Sequence, residues 1–161
     1  MKERVYNSFT YGRISEQKVF EIIADSIENN PPDTFKIYIG TDSQQYSNTS
    51  VSNVIVLYRK GKGAIFFWLN GVEKKFHTLR DRMYHEATQS IQTGERLLKY
   101  LFNRDLDFKI TIDIDIGENG PTSAFISEIT GYVEAYGFDY RIKPDSLAAS
   151  TVADRFSKRR R

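Results

Sequence analysis

The stretch Ile37-Tyr38-Ile39-Gly40-Thr41-Asp42-Ser43-Gln44-Gln45, IYIGTDSQQ, decides how the rest of the chain is read. Starting at Phe35, the apolar residues Phe35, Ile37 and Ile39 alternate with Lys36 and Tyr38. That is the period of a β-strand with one face on a core. The strand then runs directly into a carboxylate flanked by small polar residues. Taken alone, Asp42 is a turn residue, because an Asp side chain bonds readily to nearby backbone. The other reading is that a rigid strand holds an acid in place. The positions of the remaining acids decide between the two.

Upstream, Ser15 is placed to cap a helix running to about Asn29, with Val19, Ile22, Ile23 and Ile27 as its apolar stripe. Asn29-Asn30-Pro31-Pro32-Asp33 stops it, so residues 1–34 read as a helical extension. Downstream of the first strand, at 35–41, a second spans 52–59 and is apolar on both faces. Lys60-Gly61-Lys62-Gly63 turns the chain into a third strand at 64–69, and Asn70-Gly71 marks another turn. Residues 72–77 either extend this hairpin or form a loop. Thr78, with Asp81 three residues on, opens the longest helix, which runs to about Phe102. Leu79, Met83, Ala87, Ser90, Gly94, Leu97, Leu98 and Leu101 share one of its faces.

A fourth strand spans 108–116, and Gly117-Glu118-Asn119-Gly120-Pro121 breaks the chain after it. A helix at 122–136, closed by Gly137, leads to a short fifth strand at 138–142. Pro144-Asp145-Ser146 opens a last helix to about Lys158. Strands joined by short turns predict an antiparallel meander; strands separated by helices predict parallel crossovers. The expectation is one α/β domain over residues 1–161. It has a mixed five-stranded sheet with helices on both faces, an extra N-terminal helix and a basic tail at 158–161. This element order is the one the ribonuclease H-like fold uses, and order alone does not fix function.

The composition bounds the chemistry. With 161 residues, 40% apolar and 27% charged, the chain is long enough for a real core. It has no cysteine, which removes disulfides, thiolate zinc sites and cysteine nucleophiles together. The strongest apolar run, Ile65-Phe66-Phe67-Trp68-Leu69, is far short of the roughly 20 residues a membrane helix needs. The start, MKERVYNSF, lacks the apolar core of a signal peptide. The expected location is cytoplasmic, or inside a cell for a viral protein. The net charge is +2, yet Lys158, Arg159, Arg160 and Arg161 carry four positive charges; those set aside, the rest carries −2. Such a cluster suits a polyanion, or is simply a solvated tail.

Against these elements the acids fall in a pattern. Asp42 ends the first strand. Glu86 lies near the edge of the apolar stripe of the long helix, roughly 60° from Met83 at about 100° per residue. Asp113 and Asp115 are two apart in the fourth strand and share a face, while Ile110, Ile112, Ile114 and Ile116 take the other. Asp154 follows the small residues Ala148-Ala149-Ser150-Thr151 in the last helix. Carboxylates converging in a partly dry place repel one another and stay protonated unless a cation joins them. An oxygen-rich set without Cys and with few His suits Mg²⁺ or Mn²⁺. Two such ions about 4 Å apart can activate water and stabilise the leaving oxygen of a phosphodiester.

The same positions carry a resemblance. IGTDSQ at 39–44, IDIGENG at 114–120 and KPDSLAASTVADRFSK at 143–158 resemble the ribonuclease H-like YkuK family, over nearly the whole chain from about Phe9 to Lys158. The resemblance implies a ribonuclease H-like fold and a nuclease site with two Mg²⁺ or Mn²⁺ ions. Its acids would be Asp42, Glu86, Asp115 and Asp154. Asp42 would bridge both ions, Glu86 and Asp115 would hold one, and Asp154 the other. Cleavage would leave a 3′-hydroxyl and a 5′-phosphate. Asp115 is preferred to Asp113 because it precedes Ile116-Gly117 as in the family motif. The family pattern often has His where this chain has Asp113, which here either adds a ligand or adds negative charge.

The remaining candidates are weaker. Ser43 and Gln44 are placed to bond a metal water or a phosphate, and turn formation explains them nearly as well. Lys143 and Lys158 are candidate phosphate contacts or ordinary surface lysines. His85 should face the polar side of the long helix, and His77 lies near its start. Tyr46, Tyr84 and Trp68 read as base-stacking candidates or, better, as core. Gly117-Glu118-Asn119-Gly120 lacks the Lys-Ser/Thr of a phosphate loop. The expected activity is metal-dependent hydrolysis of nucleic acid, whether RNA, RNA–DNA hybrid or DNA. The alternative is a non-catalytic nucleic-acid-binding or protein-interaction module on the same scaffold.

Overall fold

The computed structural model describes residues 3–45, 49–73 and 75–146. The elements run β1 (Val5–Ser8), β2 (Gly12–Ser15), α1 (Glu16–Asn29), β3 (Phe35–Gln45), β4 (Thr49–Arg59), β5 (Gly63–Glu73), α2 (Leu79–Asn103), β6 (Ile110–Asp113), a 3-10 turn (Pro121–Phe125), α3 (Ile126–Ala135) and β7 (Asp139–Arg141). Among the described residues seven strands form one sheet, in the order β2-β1-β5-β4-β3-β6-β7. The β3–β4–β5 part is an antiparallel meander, and β6 and β7 join it in parallel, as the connection lengths predict.

The expected count of five strands is corrected by the hairpin β1–β2, which pairs at its inner edge with β5 through Asn7↔Trp68 and Ser8↔Phe67. Residues 3–34 are therefore a hairpin plus a helix. Four-residue strands are too short to show alternation, but the turn is well specified. The Ser8 hydroxyl accepts from the backbone N–H groups of Thr10 (3.2 Å) and Tyr11 (3.3 Å), and Gly12 takes φ +72°. The meander strands are also longer than their apolar stretches. Asn70 and Gly71 pair with Ser52 and Val51 inside β5 rather than making a turn. The ladder hydrogen bonds continue there although the apolar pattern has ended.

The described helices share one face. Ile37 and Ile39 of β3, Ile55 and Leu57 of β4, Phe67 of β5 and Ile110 and Ile112 of β6 form a single core with Val19 and Ile23 of α1, Leu97 and Leu101 of α2, and Ile129 and Val133 of α3. The opposite sheet face carries a smaller cluster, Val54, Val56 and Trp68, with Phe9, Tyr38 and Phe66 against it. Helices on both faces are thus not seen among the described residues. The expected last helix, with Asp154, Lys158 and the basic tail, lies outside them.

The helix ends follow the chain's own capping signals. Ser15 Oγ accepts from the Lys18 N–H at 3.1 Å, and Thr78 Oγ1 from the Asp81 N–H at 3.0 Å. The expected helix at 122–136 instead begins as the 3-10 turn, with Pro121 in its first turn, and becomes α-helical at Ile126. Gly137, at φ +86°, closes α3. No described helix is long and apolar enough to cross a membrane.

Candidate metal centre

β3 is the switch point of the sheet: antiparallel to β4 on one side, parallel to β6 on the other. Gly40 lies beside Asp113, the last residue of β6, so β3 runs on past the carboxyl end of β6 to Gln45. Open sheets of this kind place their ligand sites at that end. Asp42 sits there on β3. Asp115 lies two residues past the end of β6, and its backbone is still braced. The Ile114 N–H donates to the Arg141 carbonyl at 2.9 Å, and the Lys143 N–H donates to the Ile116 carbonyl at 2.8 Å. Glu86 reaches over from α2. One carboxylate oxygen from each of Asp42, Glu86 and Asp115 lies within 4.8 Å of the other two.

The electrostatics of the three differ. Glu86 is 5% exposed, and neither of its oxygens accepts a hydrogen bond. Its nearest cation, Arg82 Nε, is 3.6 Å away. Burial pushes the Glu86 carboxyl well above the usual range; Arg82 opposes this, and Asp42 and Asp115 add to it. Asp42 is also raised, first by burial and then by the charge of Asp115, against Arg82 at 3.7 Å. A cavity of about 10 Å³ lies between Thr41, Glu86, Asp113 and Asp115, room for about one water-sized occupant. The donors are all carboxylate oxygens, the set that suits Mg²⁺ or Mn²⁺. A buried carboxylate that accepts no hydrogen bond is the group such an ion would satisfy.

The other expected site residues divide. Asp113 shares the cavity, but it accepts two hydrogen bonds from Arg141, at 2.7 and 2.8 Å, and Arg141 lies over the Tyr38 ring at 3.6 Å. Its carboxylate thereby ties β6 to β7. Lys143 is exposed, and its Nζ lies 2.7 Å from Asp115 Oδ1. Ser43 is fully buried, and its hydroxyl accepts from Arg82 Nε at 2.9 Å rather than facing outward. The side chain of Gln44, together with Asp154 and Lys158, lies outside what the structure describes. Tyr46 does too.

His85 does not sit on an open polar face. It is half-buried against Phe76, with ring centroids 4.8 Å apart, and its Nε2 is buried without a hydrogen-bond partner. Tyr84 donates to Glu128 at 2.6 Å, and Trp68 belongs to the second-face cluster.

The residue that sequence reasoning missed is Arg82. It also donates through Nη2 to the Ser43 carbonyl, so it joins α2 to the end of β3 beside two of the acids. One signal was present: Arg82 is four residues before Glu86, so the two share a helix face. Its bond to Ser43, 39 positions away, left no trace in the sequence.

Comparison with known proteins gives two matches. A family model described as Ribonuclease H-like matches residues 18–158. The chain is 32% identical over 170 residues to "Uncharacterized protein YkuK" of Bacillus subtilis (strain 168), covering 94% of this chain and 99% of that one. No solved structure matches.

Proposed function

The chain belongs to the ribonuclease H-like family, and on that premise we propose that it is a divalent-metal-dependent nuclease that hydrolyses phosphodiester bonds in nucleic acid. The observation that supports this best is Glu86. A carboxylate 5% exposed, with no hydrogen bond to either oxygen and two further acids within 4.8 Å, shares the single guanidinium of Arg82 with Asp42 and is short of positive charge. Asp42, Glu86 and Asp115 would hold Mg²⁺ or Mn²⁺. In the two-ion form Asp42 would be shared and Asp154 would serve the second ion. Bound there, the cations would polarise the phosphodiester and lower the pKa of the attacking water, leaving a 3′-hydroxyl and a 5′-phosphate.

The chain's own residues supply orientation. Asp115 is fixed by the backbone bonds on either side of it, and Asp42 by the β3 ladder. Asp113 and Arg141 would hold β6 in register rather than contact substrate. Lys143, whose side chain is half exposed beside Asp115, would turn to a backbone phosphate. The buried position of Glu86 keeps bulk water from its side of the site.

A second reading, a non-catalytic nucleic-acid-binding or protein-interaction module, draws on one observation: Lys143 already neutralises Asp115 at 2.7 Å. The test is a cleavage panel in Mg²⁺ and in Mn²⁺ over single-stranded RNA, single-stranded DNA, duplexes, RNA–DNA hybrid and a four-way junction. Wild type and Asp42→Asn are purified side by side. Cutting by wild type alone is the expected result. Equal cutting by both points to a contaminant. No cutting by either, with cation binding intact, favours the module.

A further inference from the structure

Asp42 and Glu86 are bracketed. The residues on either side of Asp42 are Thr41 and Ser43, whose side chains point to the helix face of β3 because side chains alternate along a strand. The residues one helical turn on either side of Glu86 are Arg82 and Ser90. Each flank of one acid is bonded to a flank of the other. Thr41 Oγ1 and Ser90 Oγ share a hydrogen bond of 2.8 Å. Ser43 Oγ accepts from Arg82 Nε at 2.9 Å, and the Ser43 carbonyl accepts from Nη2 of the same guanidinium. Thr41, Ser43 and Ser90 are buried to 3%, 0% and 1% exposure. Thr41 is held further by Asn53 Nδ2 at 3.2 Å.

These are the contacts that set the height and rotation of α2 over β3 at the point where their acids meet. Core packing alone does not set them, because apolar contacts are non-directional. Hydrogen bonds two residues apart on β3 and about two turns apart on α2 leave little freedom for one element to slide or roll on the other.

We infer that Thr41 and Ser43 are positioning residues, which with Ser90 and Arg82 fix the separation of the Asp42 and Glu86 carboxylates for a divalent cation. The inference rests on the metal-site reading above. It also gives the small polar flanks of Asp42 a purpose that neither a turn nor a phosphate contact supplies.

The test is calorimetric titration of the full chain with Mn²⁺ alone, with thermal melting of each protein alongside. The variants are Thr41→Val, Ser43→Ala, the conservative Thr41→Ser, and Tyr132→Phe. The last removes a hydrogen bond of equal length, Thr88 to Tyr132 at 2.8 Å, that joins α2 to α3 instead. It reports the effect of loosening α2 in general. Thr41→Val leaves Asn53 and Ser90 short of a partner, and Ser43→Ala keeps the test decisive if that variant does not fold.

Ser43→Ala and Thr41→Val are expected to weaken Mn²⁺ binding by about tenfold or more, the usual effect of losing a group that orients a metal ligand. Thr41→Ser should bind close to wild type, and Tyr132→Phe should bind as wild type does. Wild-type affinity in folded Ser43→Ala, or an equal loss in Tyr132→Phe, overturns the inference while leaving the metal site standing. If wild type takes up no Mn²⁺, the metal reading fails and this inference fails with it.

Discussion

Asp33 shows how one side chain couples the chain's charge to its stability. It lies between α1 and β3, where Arg59 Nε donates to its Oδ2 at 2.5 Å and Lys62 Nζ approaches at 3.3 Å. Arg59 also donates to Asn30 Oδ1 at 2.8 Å, so this small cluster ties the end of α1 to the end of β4. The hydrogen bond from Arg59 is the main reason the Asp33 carboxyl titrates below its usual range, with the Lys62 bond adding to it against burial. A carboxyl lowered in the folded state adds stability above the unfolded carboxylate range and loses it as pH falls through the folded value. Asp33→Asn is therefore expected to melt modestly lower than wild type at neutral pH, with the gap narrowing in acid as pH falls below the unfolded carboxylate range and through the folded value. A gap unchanged between neutral and acid pH would assign the loss to shape instead of charge. At this scale the three acids of the site were legible, because each stands out against an apolar pattern. Arg82 was not, since the residue it is hydrogen-bonded to, Ser43, stands on another element.

The elements carry a second kind of constraint, close approach. A Cβ built on Gly94 of α2 would lie 2.9 Å from two ring carbons of Phe138, itself 3% exposed, with Ile112 Cδ1 at 3.7 Å. Alanine would gain about 1 kcal/mol of helix propensity over glycine at this interior position. Overpacking a tight core costs about 1–3 kcal/mol, and a buried ring in the way cannot retreat as a flexible chain end would. Gly94→Ala is expected to lose up to about 2 kcal/mol net, read from urea unfolding; a gain would mean the helix shifts easily. Helix limits were readable in the sequence because caps are local: Ser15 and Thr78 act where they stand. Strand limits were less so. The meander strands continue through Ser43, Ser50, Asn70 and Gly71, where backbone pairing persists without any apolar signal. The hairpin β1–β2 depends on Tyr6, 1% exposed, whose hydroxyl donates to Glu16 at 3.1 Å in a network continued by Arg96 on α2. No window of a few residues reveals such a partner.

Across the whole molecule, charge is divided between a nearly neutral domain and a basic end. Removing residues 158–161 takes away four cations and changes the net charge from +2 to −2. If the chain binds nucleic acid through its backbone, this truncation should weaken binding and flatten its dependence on salt, because each phosphate contact releases counterions. Fluorescence anisotropy with labelled RNA and DNA at two salt concentrations measures both; an unchanged slope would place the phosphate contacts elsewhere, with Lys143 the next to examine. The sheet also protects the site against a folding error. β3 and β4 are joined by eleven consecutive pairs, from Phe35↔Arg59 to Gln45↔Thr49. A slip of one place would turn Ile37 and Ile39 out toward water, drive Asp42 into the apolar layer and swing Thr41 and Ser43 away from α2. A chain slipped by one place cannot bury these isoleucines and still present Asp42 on its proper face. A molecule that has reached its stable core has, by the same alternation, already proofread its chemistry.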